Sequence, residues 1–252
     1  MPVLYDLSVP VENCPSELIP PTIEYKTHDM SLPLFDWVMG AKKEDMPDGT
    51  GWADESIVMG SHTGTHIDAP WHYGPMSEGK KARTIDEIPL DWFYHDGVVL
   101  DMRHLPPGSG ISVDDLKAAL KKIRYEIKPW DIVLIQTGAD KHWGKANEYW
   151  MSCGMTAEST FWLIEQGSKV MGIDAFGWDR PFSLIKEEFL RTHDKNILWA
   201  AHKAGIRKEY CHIEKLANLD KLPKPSGFKV ACFPVKLKGA SAGTVRVAAI
   251  FE

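Results

Sequence analysis

Between residues 62 and 72 the chain reads His62-Thr63-Gly64-Thr65-His66-Ile67-Asp68-Ala69-Pro70-Trp71-His72. Three imidazoles and one carboxylate in so short a run suit a divalent metal ion and a water made reactive by it. On a helix each residue advances about 100°, so Asp68 would point away from His62 and His66. The β-branched Thr63 and Thr65 and the flexible Gly64 also weigh against a helix. An extended chain alternates its side chains, which puts His62, Gly64, His66 and Asp68 on one face. Gly64 is then expected to leave room there for an ion.

Two imidazoles and a carboxylate suit zinc, manganese or ferrous iron and leave positions open for water and substrate. Pro70 lacks an N–H and ends strand pairing, so the chain turns there. His72 is thereby free to stand beside the metal as an acid or base. Farther on, His202 and Glu214 form a second half-site, expected on a helix and the strand that follows. Asp68 or Glu214 would then bridge two ions, as in sites that clamp water and substrate between metals.

The elements that must position these groups follow from patterning. Short β-rich runs recur, among them residues 3–8, 97–102, 131–137, 169–174, 210–214, 229–235 and 245–251. Ser112 caps a helix with Leu116, Leu120 and Ile123 on one face. Thr156 caps another that Gly167 ends. A third is expected from about Lys195 to Ala204, stopped by Gly205 and carrying His202. This mixture gives an α/β fold with a mixed, highly twisted sheet or barrel and few helices. Residues 28–55, rich in Pro, Gly, Asp and Lys, read as a long loop excursion that serves as lid or partner contact. No boundary interrupts the 252 residues, which read as one domain.

Composition narrows the function. A net charge of −6 without a basic stripe argues against a nucleic-acid partner. No apolar run approaches membrane-spanning length and no signal peptide opens the chain, so a cytoplasmic location is expected. Cys14, Cys153, Cys211 and Cys232 lack CxxC spacing and read as buried free thiols. Ten tryptophans are present; Trp71, beside the metal run, and Trp178 are candidate walls for a flat substrate. The remaining histidines, His212 among them, read as core or surface residues.

Two rival readings are weaker. Gly239-Ala240-Ser241-Ala242-Gly243 matches a nucleophile elbow, but that motif requires a following helix, an acid and a histidine. Only a strand-like tail without histidine follows, so the glycines read as a tight turn between the last two strands. A structural or sensing metal protein would favour a closed four-ligand site, commonly with cysteine. This cluster has no cysteine and keeps positions open.

The pattern His62-x-Gly64-Thr65-His66-x-Asp68-x-Pro70-x-His72 resembles the signature of the cyclase family of metal-dependent hydrolases, which includes bacterial kynurenine formamidase and isatin hydrolase. Asp6-Leu7-Ser8, Gly172-Ile173-Asp174, the segment from His202 through Glu214 to Leu219, and Pro234, Lys236, Gly239 and Val245-Arg246 extend the likeness over most of the chain. The resemblance implies a swivelling β/β/α fold and a homodimer or homotetramer. It makes His62, His66 and Asp68 ligands of one Zn2+ or Mn2+ ion, His202 and Glu214 ligands of a second, and His72 the proton-transfer residue. The reaction expected is hydrolysis of an acyl C–N or C–O bond in a small aromatic amide, lactam or lactone. Arylformamidase activity on N-formyl-L-kynurenine, in tryptophan degradation, is the alternative. The chain departs from compact formamidases in its 28–55 excursion and in Ala175-Phe176-Gly177-Trp178-Asp179-Arg180.

Overall fold

The computed structural model describes residues 1–252. A nine-stranded mixed sheet runs in the order Val3–Asp6, Ala248–Phe251, Ser226–Ala231, Tyr94–Asp101, Ile132–Gln136, Val170–Ile173, Cys211–Glu214, His66–Asp68 and Ala242–Thr244. The four central strands from Tyr94–Asp101 to Cys211–Glu214 are parallel, and antiparallel strands flank them on both sides. Ile132 and Leu134 pack into one core and Val133 and Ile135 into the other. Burial on both faces explains why this strand is apolar without alternation.

The sheet curls on itself. Beyond the edge strand Val3–Asp6, Leu7 accepts a hydrogen bond from the Ala217 N–H, and Val9 N–H donates to Thr65 Oγ1 at 2.9 Å. The chain's start is thus tied to the far side of the sheet, beside the metal run. The expected helices form at Val113–Ile123 and Ala157–Glu165, with Ser112 and Thr156 capping them.

Three local expectations are corrected. The helix expected over 195–204 is a 3-10 turn at Lys195–Ile197, irregular turns, and a short helix at Ala204–Arg207, so His202 sits on a turn. Asp179 holds that turn by accepting from the Ala201 and His202 N–H groups, at 2.8 and 3.1 Å. The extended reading of 62–68 holds only for His66–Asp68; the residues before it turn. The glycine-bearing turn near Gly239 precedes the strand Ala242–Thr244 and does not join the last two strands.

The excursion is closed at its base by an antiparallel hairpin of Thr22–Lys26 with Asp54–Val58, which pairs with no other strand. It carries the helix Leu32–Met39, and Trp37, Val38, Met39, Tyr25, Ile57 and Val58 project into solvent. No helix in the chain is long and apolar enough to cross a membrane.

Candidate metal centre

The centre is built on two adjacent antiparallel strands. In their register Asp68 lies opposite His212, Ile67 opposite Ile213, and His66 opposite Glu214. Because side chains alternate, the two isoleucines enter the core while the four polar residues share the other face. Pro70 opens a short helix, Pro70–Tyr73, which swings His72 back toward Asp68. His202 arrives from its turn, and His62 from the bend before the strand.

Asp68 lies between two groups of donors. Its Oδ1 is 2.8 Å from His62 Nδ1 and 3.3 Å from His66 Nε2. Its Oδ2 is 3.3 Å from His212 Nε2, 3.7 Å from His202 Nε2 and 3.5 Å from His72 Nε2. Glu214 divides likewise, with Oε2 at 3.6 Å from His66 and Oε1 at 3.3 and 3.2 Å from His202 and His212. Residues 62, 66, 68, 202 and 214, named from the sequence, therefore converge.

The hydrogen bonds on the outer side of the imidazoles fix which nitrogen faces inward. His66 Nδ1 contacts the Gly64 carbonyl at 2.9 Å, an acceptor only, and so carries the proton. His202 Nδ1 donates to Asp179 Oδ2 at 2.5 Å. The Tyr73 and Tyr210 hydroxyls donate to the Asp68 and Ala201 carbonyls, so their oxygens are left to accept from His212 Nδ1. All three Nε2 atoms point at two buried carboxylates. Neither Asp68 oxygen nor His66 Nε2 has a hydrogen-bond partner.

Lone pairs facing anions require positive charge between them. Burial alone would raise the Asp68 carboxyl, yet the surrounding imidazoles hold it well below the usual carboxylate range. Burial is likewise outweighed at Glu214 by His202 and His212. Protons on every Nε2 would set like charges side by side, whereas a divalent cation supplies the charge at once. The donor set of imidazoles and carboxylates fits such an ion. His72 differs: burial pushes it down to about 4, leaving a neutral imidazole.

A cavity of about 320 Å3 opens onto the centre. His62, His66, His202 and Glu214 form its floor, and Phe176, Phe182 and Trp199 its aromatic walls. Trp199 stacks on His202 at 4.5 Å and meets His72 edge-on at 4.8 Å.

Both tryptophans expected to bind substrate are corrected. Trp178 is fully buried, stacked on His212, with Nε1 bonded to Thr160 Oγ1. Trp71 faces outward beneath Lys81, away from the cavity. Trp199 lines the cavity in their place, and its position within an irregular turn carries no periodic signal. Nor does the 28–55 excursion line the cavity; Leu18 and Ile19, just ahead of the hairpin, do.

Gly64 has a different task from the one expected. Its φ is +64°, a conformation that suits glycine, and a Cβ there would meet Val11 Cγ2 at 3.0 Å, not an ion. Ser241, in the sequence that mimics an elbow, bonds His62 Nε2 at 3.0 Å and so helps orient that ring. His212 was missed. Its signal was present, because His212-Ile213-Glu214 repeats the alternation of His66-Ile67-Asp68.

Comparison with known proteins agrees with this architecture. The family model described as putative cyclase matches residues 5–180. Kynurenine formamidase of Bacillus thuringiensis (strain Al Hakam) is 31% identical over 193 residues, covering 75% of this chain and 76% of that protein. That of Erythrobacter litoralis (strain HTCC2594) is 27% identical over 192 residues, covering 75% and 73%. Isatin hydrolase A from Ralstonia solanacearum superposes with a TM-score of 0.75 at 24% identity, covering 100% of this chain and 92% of that one. An isatin hydrolase bound to the product analogue thioisatinate gives 0.76 at 22% identity, covering 99% and 92%.

Proposed function

The chain belongs to the putative cyclase family, and on that footing we propose that it is a metal-dependent hydrolase of acyl C–N or C–O bonds in small aromatic amides, lactams or lactones. The observation that carries this reading is the convergence of three imidazole Nε2 atoms on Asp68 and Glu214 at the floor of an aromatic cavity. His62, His66 and Asp68 would hold one divalent ion, zinc or manganese, and His202 and Glu214, sharing Asp68, a second. A divalent ion held there would lower the pKa of water toward neutrality and polarise a carbonyl.

The chain's own groups supply the rest. Trp199, Phe176 and Phe182 hold a flat ring and exclude water. His72 Nε2, neutral and beside Asp68, accepts the proton of the attacking water as the C–O bond forms. It then delivers that proton to the leaving nitrogen as the C–N bond breaks.

The relatives named kynurenine formamidase support a second reading, hydrolysis of N-formyl-L-kynurenine. One observation favours an uncharged substrate. Lys215 is the lysine or arginine at the cavity wall, and Glu17 already neutralises it. An amino-acid carboxylate would find no unpaired lysine or arginine there.

The whole chain would act as one catalytic unit. The apolar surface of the 22–58 arm supports a homodimer or homotetramer. The four free, buried thiols suit the cytoplasm. Zinc- and manganese-loaded protein assayed against isatin, aryl formamides including N-formyl-L-kynurenine, and aryl lactones tests the reading. Ring opening of the uncharged lactam at the highest kcat/KM is expected. Preference for N-formyl-L-kynurenine would establish the second reading, and no turnover of any would refute both.

A further inference from the structure

We infer that His212 is a fourth protein ligand at the second ion position, making that site closed while the site of His62 and His66 stays open to the cavity. The inference rests on the metal-centre reading above and adds to it a residue and a division of labour.

Four donor atoms surround one point: Asp68 Oδ2, His202 Nε2, His212 Nε2 and Glu214 Oε1. All lie within 4.8 Å of one another. The separations along the ring from Asp68 through His202, Glu214 and His212 are 3.7, 3.3, 3.2 and 3.3 Å. Ligand atoms around a tetrahedral zinc at ~2.0–2.2 Å stand ~3.3–3.6 Å apart. All four residues are buried.

His212 is built to present a lone pair. Its ring lies between Trp178 and Tyr73, stacked at 5.1 and 5.3 Å with interplanar angles of 14° and 16°. The two rings hold its plane. The Tyr73 and Tyr210 hydroxyl protons are committed to backbone carbonyls, which assigns the imidazole proton to Nδ1. Nε2 is thereby left facing two carboxylates. His202 is prepared the same way by Asp179, and the Trp178 N–H fixes Glu214 Oε1 at 2.8 Å. Such outer contacts orient ligands and raise their basicity.

The other ion position is different. His62, His66, Asp68 Oδ1 and Glu214 Oε2 surround it, and His62 is about one-third exposed at the cavity, whereas His202 and Glu214, which also border the cavity, are buried together with Asp68 and His212. Catalytic sites keep a position open to substrate, and structural sites are enclosed by protein ligands. The closed ion would fix Asp68 and Glu214, while the open one meets substrate.

The test is an anomalous-difference map from crystals of the zinc-loaded protein, together with elemental analysis after chelation. The expected map places one ion within ~2.0–2.2 Å of His212 Nε2. Wild-type protein treated with EDTA should keep about one ion per chain, and His212→Leu, with an unchanged circular dichroism spectrum, about none. Ions bound with His212 beyond bonding distance would overturn this inference and leave the hydrolase reading standing. Failure to bind any divalent ion would overturn both. The wild-type map decides the question even if the variant does not fold.

Discussion

Lys215 Nζ donates to Glu17 Oε2 at 2.5 Å, an ion pair with both side chains almost wholly buried at the edge of the metal centre. Lys215 also donates to the His62 carbonyl at 2.9 Å, and Glu17 Oε1 accepts from the Gly64 N–H at 2.7 Å. The pair therefore clamps the bend that presents His62. It joins residues 198 positions apart, one immediately after Glu214 and the other at the cavity rim.

Removing one partner leaves the other charge buried and alone, which costs about 3–5 kcal/mol. Lys215→Met is expected to lower unfolding stability by that order, and Glu17→Gln with Lys215→Met by less than the sum of the two single changes. Urea denaturation of the four proteins in the cycle measures this. Additive losses would show that the pair is not coupled.

In the proposed mechanism His72 transfers the proton. His72→Ala should lower kcat by roughly 10²–10⁴ while zinc content per chain stays the same. Elemental analysis beside steady-state kinetics checks it. Loss of metal in step with activity would make His72 a ligand, a role its 3.5 Å approach to Asp68 does not forbid.

Asp179 accepts three hydrogen bonds from the His202 turn, one of them from the ring. In Asp179→Asn an amide NH2 must face a donor on one side or the other. If it faces the ring, His202 has to protonate Nε2, the atom that points at Asp68 and Glu214. Ion affinity should fall roughly 10–100-fold, as measured by competition with a chromophoric chelator. Unchanged affinity would show that Asp179 does not set the His202 tautomer for an ion.

Trp199 stacks on His202 and forms the cavity wall. Trp199→Ala should raise KM for an aromatic substrate by about tenfold, from lost stacking and burial. Trp71→Ala, outside the cavity, should leave KM within about twofold of wild type. The two KM values from one substrate titration each decide between them.

How far the sequence carried these assignments depended on whether a signal was local. His66-Ile67-Asp68 alternates as a strand, and Pro70 turns the chain, so the side chains that converge on Asp68 from this run, His72 included, are legible in it. The capping residues Ser112 and Thr156 marked their helices for the same reason. The antiparallel register that brings His212 opposite Asp68 is a tertiary fact, and His212 alone read as an ordinary core histidine. Trp199 and Asp179 lie on irregular turns, where no period distinguishes a pocket wall from a loop. Gly64 does not clear space for an ion because the run before His66 turns instead of extending, with φ at +64°.

In the proposed function, hydrolysis depends on a metal centre formed by Asp68, Glu214 and the imidazoles around them. Turnover of an aryl lactam or formamide by protein stripped with a strong chelator, then reloaded with zinc or manganese, tests it most directly. Stripping is expected to abolish turnover while the far-ultraviolet circular dichroism spectrum persists, and a stoichiometric divalent ion to restore it. Turnover at an undiminished rate in protein shown by elemental analysis to be free of metal would contradict that dependence.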